Sequence, residues 1–476
     1  MKTSVKRSLA CMLAIMLTIF CFMSMYVSAE GEDETSNGSM NLDIVFVLDA
    51  SGSMLRSDPN RIALDAFSLF VDMCDDTCRV GYDVYTHTLK ESEPIRSIKD
   101  SASLEQMKNK FKNIVYEPNG DTDIALGLTQ AKKLFEDNEG NPNRKQAIVL
   151  LSDGNTDLPK GPRSVAESEA EMKSTLEALA SRYIQVYSIG LNSDGSLDKK
   201  ELDNISAATG GRSYEINGSE KLTSIISDIF ANISDMNGTD RPIKDGKVDI
   251  EVKDSNVLYV NVIVRTKLTR EEMNPVLFSP DGAVVSLDDN PDVRVTSTKS
   301  YMLVKIYYPD IGKWTLQLQK ADNANSNVKQ LNYYSVFINQ SVPEKAAVNQ
   351  PMVIEATISD NYGLIKDTEL LATIKMVGTV TSKNGTETFE LNKTGSGTYR
   401  GTFEPDEVGD YTIVTKAVSD RFGKESPRAS VEVLSSLEGE DPIQAAFAFI
   451  REHLSTILSG IAALVIVVVI IVLVKK

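Results

Sequence analysis

Apolar positions along this chain follow two periods. In residues 41–236 short apolar runs alternate with stretches spaced three and four apart, the spacing of one buried helix face. Leu42–Leu48 reads as a buried strand, and Asn60–Met73 as a helix with Ile62, Leu64, Phe67, Leu69, Phe70 and Val71 in register. Arg79–Thr86 reads as a strand, Ser103–Phe111 as a short helix and Ile124–Phe135 as a longer one. The strand Gln146–Leu151, the charged and solvated helix Val165–Arg182, the strand Ile184–Gly190 and the helix Leu197–Thr209 follow. Ser213–Ile216 and Leu222–Met236 close the series as strand and helix. Such alternation implies an α/β doubly wound, mostly parallel sheet with helices on both faces, and ligands at the carboxyl ends of its strands.

Residues 237–246 are polar and read as a linker. Beyond them the period becomes that of strands. Residues 247–340 carry candidates at Val248–Val252, Val257–Thr266, Met302–Tyr308, Trp314–Gln319 and Tyr333–Ile338. Residues 341–435 carry Met352–Ile358, Leu370–Val377, Thr386–Leu391, Gly397–Phe403, Tyr411–Val418 and Ala429–Val433. The two units share an acidic-x-Gly-x-aromatic step into a strand, at Asp310 to Trp314 and at Glu407 to Tyr411. This step resembles the tyrosine corner of immunoglobulin-like sandwiches. It implies two all-β, Ig-like sandwich domains, although the first has Trp where that family has Tyr.

The ends differ from the middle. Lys2, Lys6 and Arg7 precede an apolar run from Leu9 to Val27, and Val27-Ser28-Ala29 offers small residues before Glu30. Residues 1–29 read as a secretory signal peptide, with an uncleaved anchor as the alternative. Residues 30–40 form an acidic leader. Residues 436–453 form a juxtamembrane linker and 454–474 an uncharged run long enough to span a bilayer. The terminal Lys475-Lys476 suits a cytoplasmic tail. The expectation is a single-pass cell-membrane protein with its bulk outside. A net charge of −17 argues against nucleic acid as a partner. Of four cysteines, Cys74 and Cys78 lie beyond the signal run. They form either a short local disulfide or two free thiols, and they should sit at the end of the first helix away from any site at the carboxyl edge.

One stretch carries chemistry. Asp49-Ala50-Ser51-Gly52-Ser53 follows the first strand, so one carboxylate and two hydroxyls leave a tight turn that Gly52 helps to bend. Such oxygens suit a hard divalent cation. Alone, the same residues could simply cap the next helix. Two further stretches bear on the choice: Gly120-Asp121-Thr122-Asp123 opens a helix, and Leu150-Leu151-Ser152-Asp153-Gly154 ends a strand on a carboxylate. Together the three resemble the von Willebrand factor type A (VWA) domain with its metal-ion-dependent adhesion site (MIDAS), over residues 41–236. The resemblance implies metal ligands Asp49, Ser51, Ser53, Thr122 and Asp153 on the surface rim. The implied ion is Mg²⁺, with Mn²⁺ or Ca²⁺ as alternatives, and the implied partner is a protein ligand supplying an acidic residue.

No HExxH, GxSxG or GxxxxGK[ST] motif is present. Ser196 with Lys199 makes a lone SxxK, and Ser196 reads more simply as a helix cap. His87 reads as an ordinary surface or half-buried residue. The expectation is therefore a non-enzymatic, membrane-anchored binding protein. The alternative is an interaction or assembly subunit of a cell-envelope complex with a mainly structural metal.

Overall fold

The computed structural model describes residues 40–138, 144–159, 161–218, 221–321 and 327–436. The expected signal peptide, transmembrane run and cytoplasmic tail lie outside the described residues, as does nearly all of the leader and juxtamembrane linker. Among the described residues no helix is long and apolar enough to cross a membrane.

β1 (Leu42–Asp49) lies inside a six-stranded sheet with β2 (Arg79–Tyr85), β3 (Leu89–Ser97), β4 (Lys145–Ser152), β5 (Gln185–Leu191) and β6 (Ser213–Ile216). The order is β3-β2-β1-β4-β5-β6. β1 is parallel to β2 and β4, β4 to β5, and β5 to β6, while β3 runs antiparallel to β2. The helices of this unit are α1 (Met54–Ser57), α2 (Ile62–Met73), α3 (Ser101–Lys112), α4 (Ile124–Glu136), α5 (Val165–Ser181), α6 (Lys199–Ala208) and α7 (Leu222–Ser234). β1 is buried throughout, and its period of two feeds both faces of the sheet. Ile44, Phe46 and Leu48 pack with Phe67 and Phe70 of α2, Phe111 of α3 and Phe230 of α7. Val45 and Val47 pack with Ile124 and Leu128 of α4 and with Leu202 of α6.

Two details differ from the sequence reading. β3 escaped it because Leu-Lys-Glu-Ser-Glu-Pro is the composition of an edge strand kept charged against further pairing. Asp198, not Ser196, caps α6, its carboxylate accepting from Lys200 N at 3.0 Å, while the Ser196 hydroxyl donates to Asp194 at 2.7 Å.

β7 (Gly238–Arg241), β8 (Lys247–Val252), β9 (Val257–Arg265), β10 (Val276–Phe278), β11 (Val284–Val285), β12 (Val293–Ser297), β13 (Tyr301–Tyr307), β14 (Gly312–Gln317) and β15 (Asn327–Tyr334) form two sheets. Their orders are β11-β10-β14-β8 and β12-β13-β9-β15-β7. The expected linker 237–246 thus contains a strand, β7, paired with β15. The expected strand Tyr333–Ile338 is divided between the end of β15 and the start of β16 (Phe337–Ser341). β16 joins β17 (Lys345–Ala347), β18 (Met352–Asp360), β19 (Gly363–Leu364), β20 (Lys375–Ser382), β21 (Gly385–Gly395), β22 (Thr398–Phe403), β23 (Gly409–Val418), β24 (Gly423–Glu425) and β25 (Ala429–Leu434). These strands follow the path β16-β18-β22-β21-β20-β23-β25-β17, with β19 on β18 and β24 on β23. The expected strand Leu370–Val377 begins instead as a helix, Thr368–Ala372, because Asp367 accepts from the backbone of Glu369 and Leu370 at 2.9 and 3.0 Å. The two aromatic corners make one and the same bond. Trp314 Nε1 donates to Asp310 O at 2.9 Å and the Tyr411 hydroxyl donates to Glu407 O at 3.1 Å. Gly312 and Gly409 between them hold φ of +133° and +140°, where a side chain would be strained.

The sheet containing β9 and β13 is covered on both faces. Val260, Val262, Val264, Met302, Val304 and Ile306 point into the β core. Tyr259, Ile263, Tyr301 and Leu303 join the core of the α/β unit. On that same face Asn261 Nδ2 donates to Met73 O at 3.0 Å, and Lys305 Nζ donates to Met73 O at 3.1 Å and to Cys74 O. Ser300 and Tyr301 hydroxyls donate to Asp65 and Asp72 of α2 at 2.6 and 2.7 Å. The third unit adds Phe422, which is fully buried, and an ion pair of 2.8 Å between Arg421 and Asp254. Cys74 and Cys78 are free, buried thiols at the carboxyl end of α2, on the side of the sheet where β2 begins.

Two consequences can be measured. Lys305 is 1% exposed, and Lys305→Met keeps the aliphatic stem but strips the Cys74 carbonyl of its donor and leaves Met73 O with Asn261 alone. The unfolding free energy should fall by roughly 1–3 kcal/mol in urea titrations, and a change below that range would show the carbonyls to be satisfied otherwise. Asp83 on β2 is wholly buried, with neither carboxylate oxygen hydrogen-bonded among the described residues, and burial pushes its pKa well up. A group held neutral in the fold and free to ionise when unfolded contributes stability below pH 4, and that stability is lost as pH rises toward the folded pKa. Asp83→Val should therefore exceed wild type by about 1–3 kcal/mol at pH 8, and by less at pH 4. An equal gain at both values would contradict the assignment.

Candidate metal centre

Parallel pairing of β1 with β4 sets the site. Leu48 lies opposite Leu151, so both strands deliver their next residues, Asp49 and Ser152-Asp153, to one edge of the sheet. Asp49 Oδ1 accepts from Ser51 N at 2.9 Å and Oδ2 from the Ser152 hydroxyl at 2.7 Å. Asp153 Oδ1 accepts from the Ser53 hydroxyl at 3.0 Å, and its Oδ2 accepts from the Ser57 hydroxyl. The Ser51 and Ser53 hydroxyls are 3.1 Å apart. Four of the five predicted residues therefore share one hydrogen-bonded network.

Thr122 reaches this edge by its backbone. Its N–H and carbonyl exchange hydrogen bonds of 2.9 Å with Asp157, and Gly120 O accepts from Gly52 N at 3.0 Å. The side-chain bonds that join the other four do not include the Thr122 hydroxyl. Gly52 is required for close approach and not for its torsion angles: its φ is not positive, and a Cβ there would lie 2.6 Å from Pro118 O. Asp123 caps α4 and is engaged by Arg163 Nε at 2.6 Å and the Ser168 hydroxyl at 2.7 Å, so its carboxylate is committed elsewhere. His87, half-buried, accepts from Asp121 N at 3.1 Å and steadies the same loop.

The site is not on an open rim. Asp49 is 0%, Ser51 1%, Thr122 5% and Asp153 9% exposed. Burial, then the neighbouring Asp153 carboxylate, pushes the Asp49 pKa up to about 7. Burial likewise raises that of Asp153. Two buried carboxylates without a basic partner among the described residues repel each other, and burial removes much of their solvation. A cation would remove both costs. The donors are carboxylate and hydroxyl oxygens, which fit a hard divalent ion and not a soft one. Among the described residues no cluster of three or more Asp, Glu, His or Cys could hold a metal, so an ion here would have at most these two carboxylates, with hydroxyls and water completing its shell. Ser57 and Ser152, which orient the two carboxylates, were not singled out from the sequence. The available signals were their places, four residues after Ser53 and immediately before Asp153.

Residues 43–228 match the von Willebrand factor type A domain. Among solved structures the chain is similar to a von Willebrand factor type A protein from Catenulispora acidiphila, at 15% identity and a TM-score of 0.34, over 69% of this chain and 64% of that one. It is similar to the conserved hypothetical protein BatB from Bacteroides thetaiotaomicron, at 20% identity and a TM-score of 0.32, over 40% of this chain and 98% of that one. It is also similar to proximal thread matrix protein 1 from the mussel byssus, solved with a zinc-occupied MIDAS motif, at 19% identity and a TM-score of 0.33, over 42% of this chain and 49% of that one. No curated protein matches the chain.

Charge repulsion in the metal-free pocket sets an expectation that separates site from scaffold. Asp49→Asn removes one of the two negative charges, so the metal-free protein should melt no lower than wild type. Wild type should gain about 2.7 kcal/mol at a Mg²⁺ concentration of 100 times Kd, and Asp49→Asn should gain nothing. Calorimetric melting with EDTA and with Mg²⁺ tests both halves. A variant that melts well below wild type in EDTA would show Asp49 to be structural.

Proposed function

From the VWA domain at residues 43–228 we propose that this protein is a non-enzymatic binding protein whose head takes a protein ligand through a divalent cation held by Asp49, Ser51, Ser53, Thr122 and Asp153. The observation that carries this reading is the pair of buried, mutually repelling carboxylates, 0% and 9% exposed, ringed by hydroxyls at the carboxyl edge of the sheet. The ion is Mg²⁺, with Mn²⁺ or Ca²⁺ as alternatives. When bound, such an ion supplies a Lewis-acid site that the two carboxylates balance in formal charge while the protein leaves its coordination incomplete. Asp49 and Asp153 supply the charge, and the serine and threonine hydroxyls fill further positions without adding any. Ser152 and Ser57 hold the carboxylates in place by donating to the Oδ2 of Asp49 and of Asp153. A partner with an accessible Asp or Glu is the class that such a site selects.

The β-rich region belongs to this reading as two Ig-like sandwiches, supported by the shared aromatic corners at Trp314 and Tyr411. Residues 1–29 as a signal peptide and 454–474 as a membrane span complete a single-pass protein with an external head. The rival role, as an assembly subunit with a structural metal, differs in one respect: its contacts need no open coordination position.

Affinity capture with residues 30–453, in Mg²⁺ and in EDTA, tests the proposal. Capture should occur in Mg²⁺, disappear in EDTA, and be absent for Asp49→Ala in either. Capture that survives both chelator and Asp49→Ala would exclude a metal-bridged contact and leave the assembly role.

A further inference from the structure

The turn that carries the first three donors is followed by a buried polar cluster that the metal centre does not use. Asp58 is 0% exposed. Its Oδ1 accepts from Ile62 N at 2.6 Å and its Oδ2 from Ala63 N at 3.1 Å, so it closes the amino end of α2. The same Oδ2 accepts from the Tyr116 hydroxyl at 2.6 Å, from a residue that is 3% exposed. Arg61 lies against this tyrosine, its guanidinium carbon 5.2 Å from the ring centroid. Arg61 holds a left-handed backbone, φ +56°, and its Nε and Nη2 are buried without a hydrogen-bond partner among the described residues. A strained, unsatisfied residue persists where its surroundings over-determine it, and such residues gather at functional sites.

Tyr116 opens the segment that ends on Thr122. Between them Glu117 N donates to Ala50 O at 2.7 Å, Gly120 N donates to Glu117 O at 2.9 Å, and Gly52 N donates to Gly120 O at 3.0 Å. The Pro118 carbonyl sits so close to Gly52 that no side chain fits between them. Segment 116–122 is thus laid along the Asp49–Ser53 turn by backbone bonds, and at its start the Tyr116 hydroxyl adds a side-chain bond to Asp58. One carboxylate fixes both the helix that follows Ser53 and the loop that brings Thr122.

We propose that Asp58 and Tyr116 form a latch that helps to position Thr122 against the Asp49–Ser53 turn, so that the fifth donor is held less closely when the Tyr116–Asp58 bond is lost. Both are positioning residues and neither touches the ion. The inference rests on the metal-site reading above and assigns its geometry to a bond outside the donor set.

The test is a double-mutant cycle on the full chain, with Mg²⁺ as the probe, read by titration calorimetry, and with thermal midpoints recorded in EDTA. Tyr116→Phe removes one hydroxyl and keeps the ring under Arg61. It should weaken Mg²⁺ about tenfold, the scale seen when groups that orient metal ligands are removed. Thr122→Ala should weaken it comparably, and the double variant should bind no more weakly than Thr122→Ala alone. A bond that only stabilised the fold would instead lower the midpoint in EDTA and act equally in both backgrounds. Unchanged affinity in Tyr116→Phe, or full additivity in the double variant, overturns the latch. Asp58→Asn, which keeps an acceptor for the tyrosine, should restore most of the affinity lost in Asp58→Ala, and equal losses in the two would also overturn it. Asp49→Ala serves as the reference: if it still binds Mg²⁺ like wild type, the metal site itself is wrong, whereas loss in Asp49→Ala with a failed cycle removes the latch alone.

Discussion

Every helix leaves unpaired amides at its start and unpaired carbonyls at its end, and the way α2 closes these two ends organises the molecule. At its start the Asp58 carboxylate accepts from Ile62 and Ala63. At its finish Lys305 and Asn261, side chains from a different unit, donate to the carbonyls of Met73 and Cys74. A cation at a helix carboxyl end and a carboxylate at the amino end are each favoured by the helix dipole. Here both are buried, so neither is weakened by screening. The helix is therefore bonded to the metal-site turn at one end and to the β region at the other. The α/β head and the strands that follow share one apolar core, which includes Phe230 from the head and Tyr259 and Tyr301 from beyond it.

This has a bearing on the site. Buried carboxylates that repel each other would pull a loosely held loop apart, and the chain meets that tendency with short connections and neutral donors. Ser51 and Ser53 stand two and four residues after Asp49, and Ser152 immediately precedes Asp153. Each carboxylate oxygen receives one hydrogen bond from a group that cannot neutralise it. Hydroxyl donors orient a carboxylate without occupying it as an arginine would. The contrast within the same domain is Asp43, which is 1% exposed and accepts from Arg79 and Arg144 at the opposite end of β1. One end of the strand carries a compensated carboxylate and the other an uncompensated one.

Much of this was legible in the chain. Leu42–Leu48 and Gln146–Leu151 read as buried strands, and the Asp and Ser residues that follow them fall at a carboxyl edge by fold alone. The network that ties Asp49, Ser51, Ser53 and Asp153 together lies where that reading places it. The fit of the head onto the β region was harder to see. Val257–Arg265 and Tyr301–Tyr307 are apolar on both faces, a pattern of sheets covered on both sides, and Asn261 and Lys305 break that pattern at positions facing α2. Periodicity marks such strands as buried but does not say against what. The polar strand β3 and the capped helix Thr368–Ala372 were missed for opposite reasons. In the first, strand pairing overrides an unfavourable composition. In the second, Asp367 supplies a start signal to a stretch whose leucines also suit a strand.

The chain as a whole carries a net charge of −17, and this constrains what a cation at the site can accomplish under the proposed function. An acidic partner approaching such a surface meets repulsion at distances beyond a few ångströms, and the repulsion is screened over about 8 Å at physiological salt. Attraction arises only at short range, where a carboxylate fills a coordination position that the protein's own donors would leave open on the cation. Long-range charge then slows encounter while the local contact slows release. Specificity follows from that opposition. A partner with many exposed acids is repelled before it docks, whereas one that presents a single acidic side chain on an otherwise neutral or basic face is not. Charges on the neighbouring segments are paired among themselves: Lys90 with Glu117 at 2.6 Å and Arg56 with Asp194 at 3.7 Å. With those charges internally matched, an open coordination position on the cation is, under the proposed function, the feature left for a carboxylate to take.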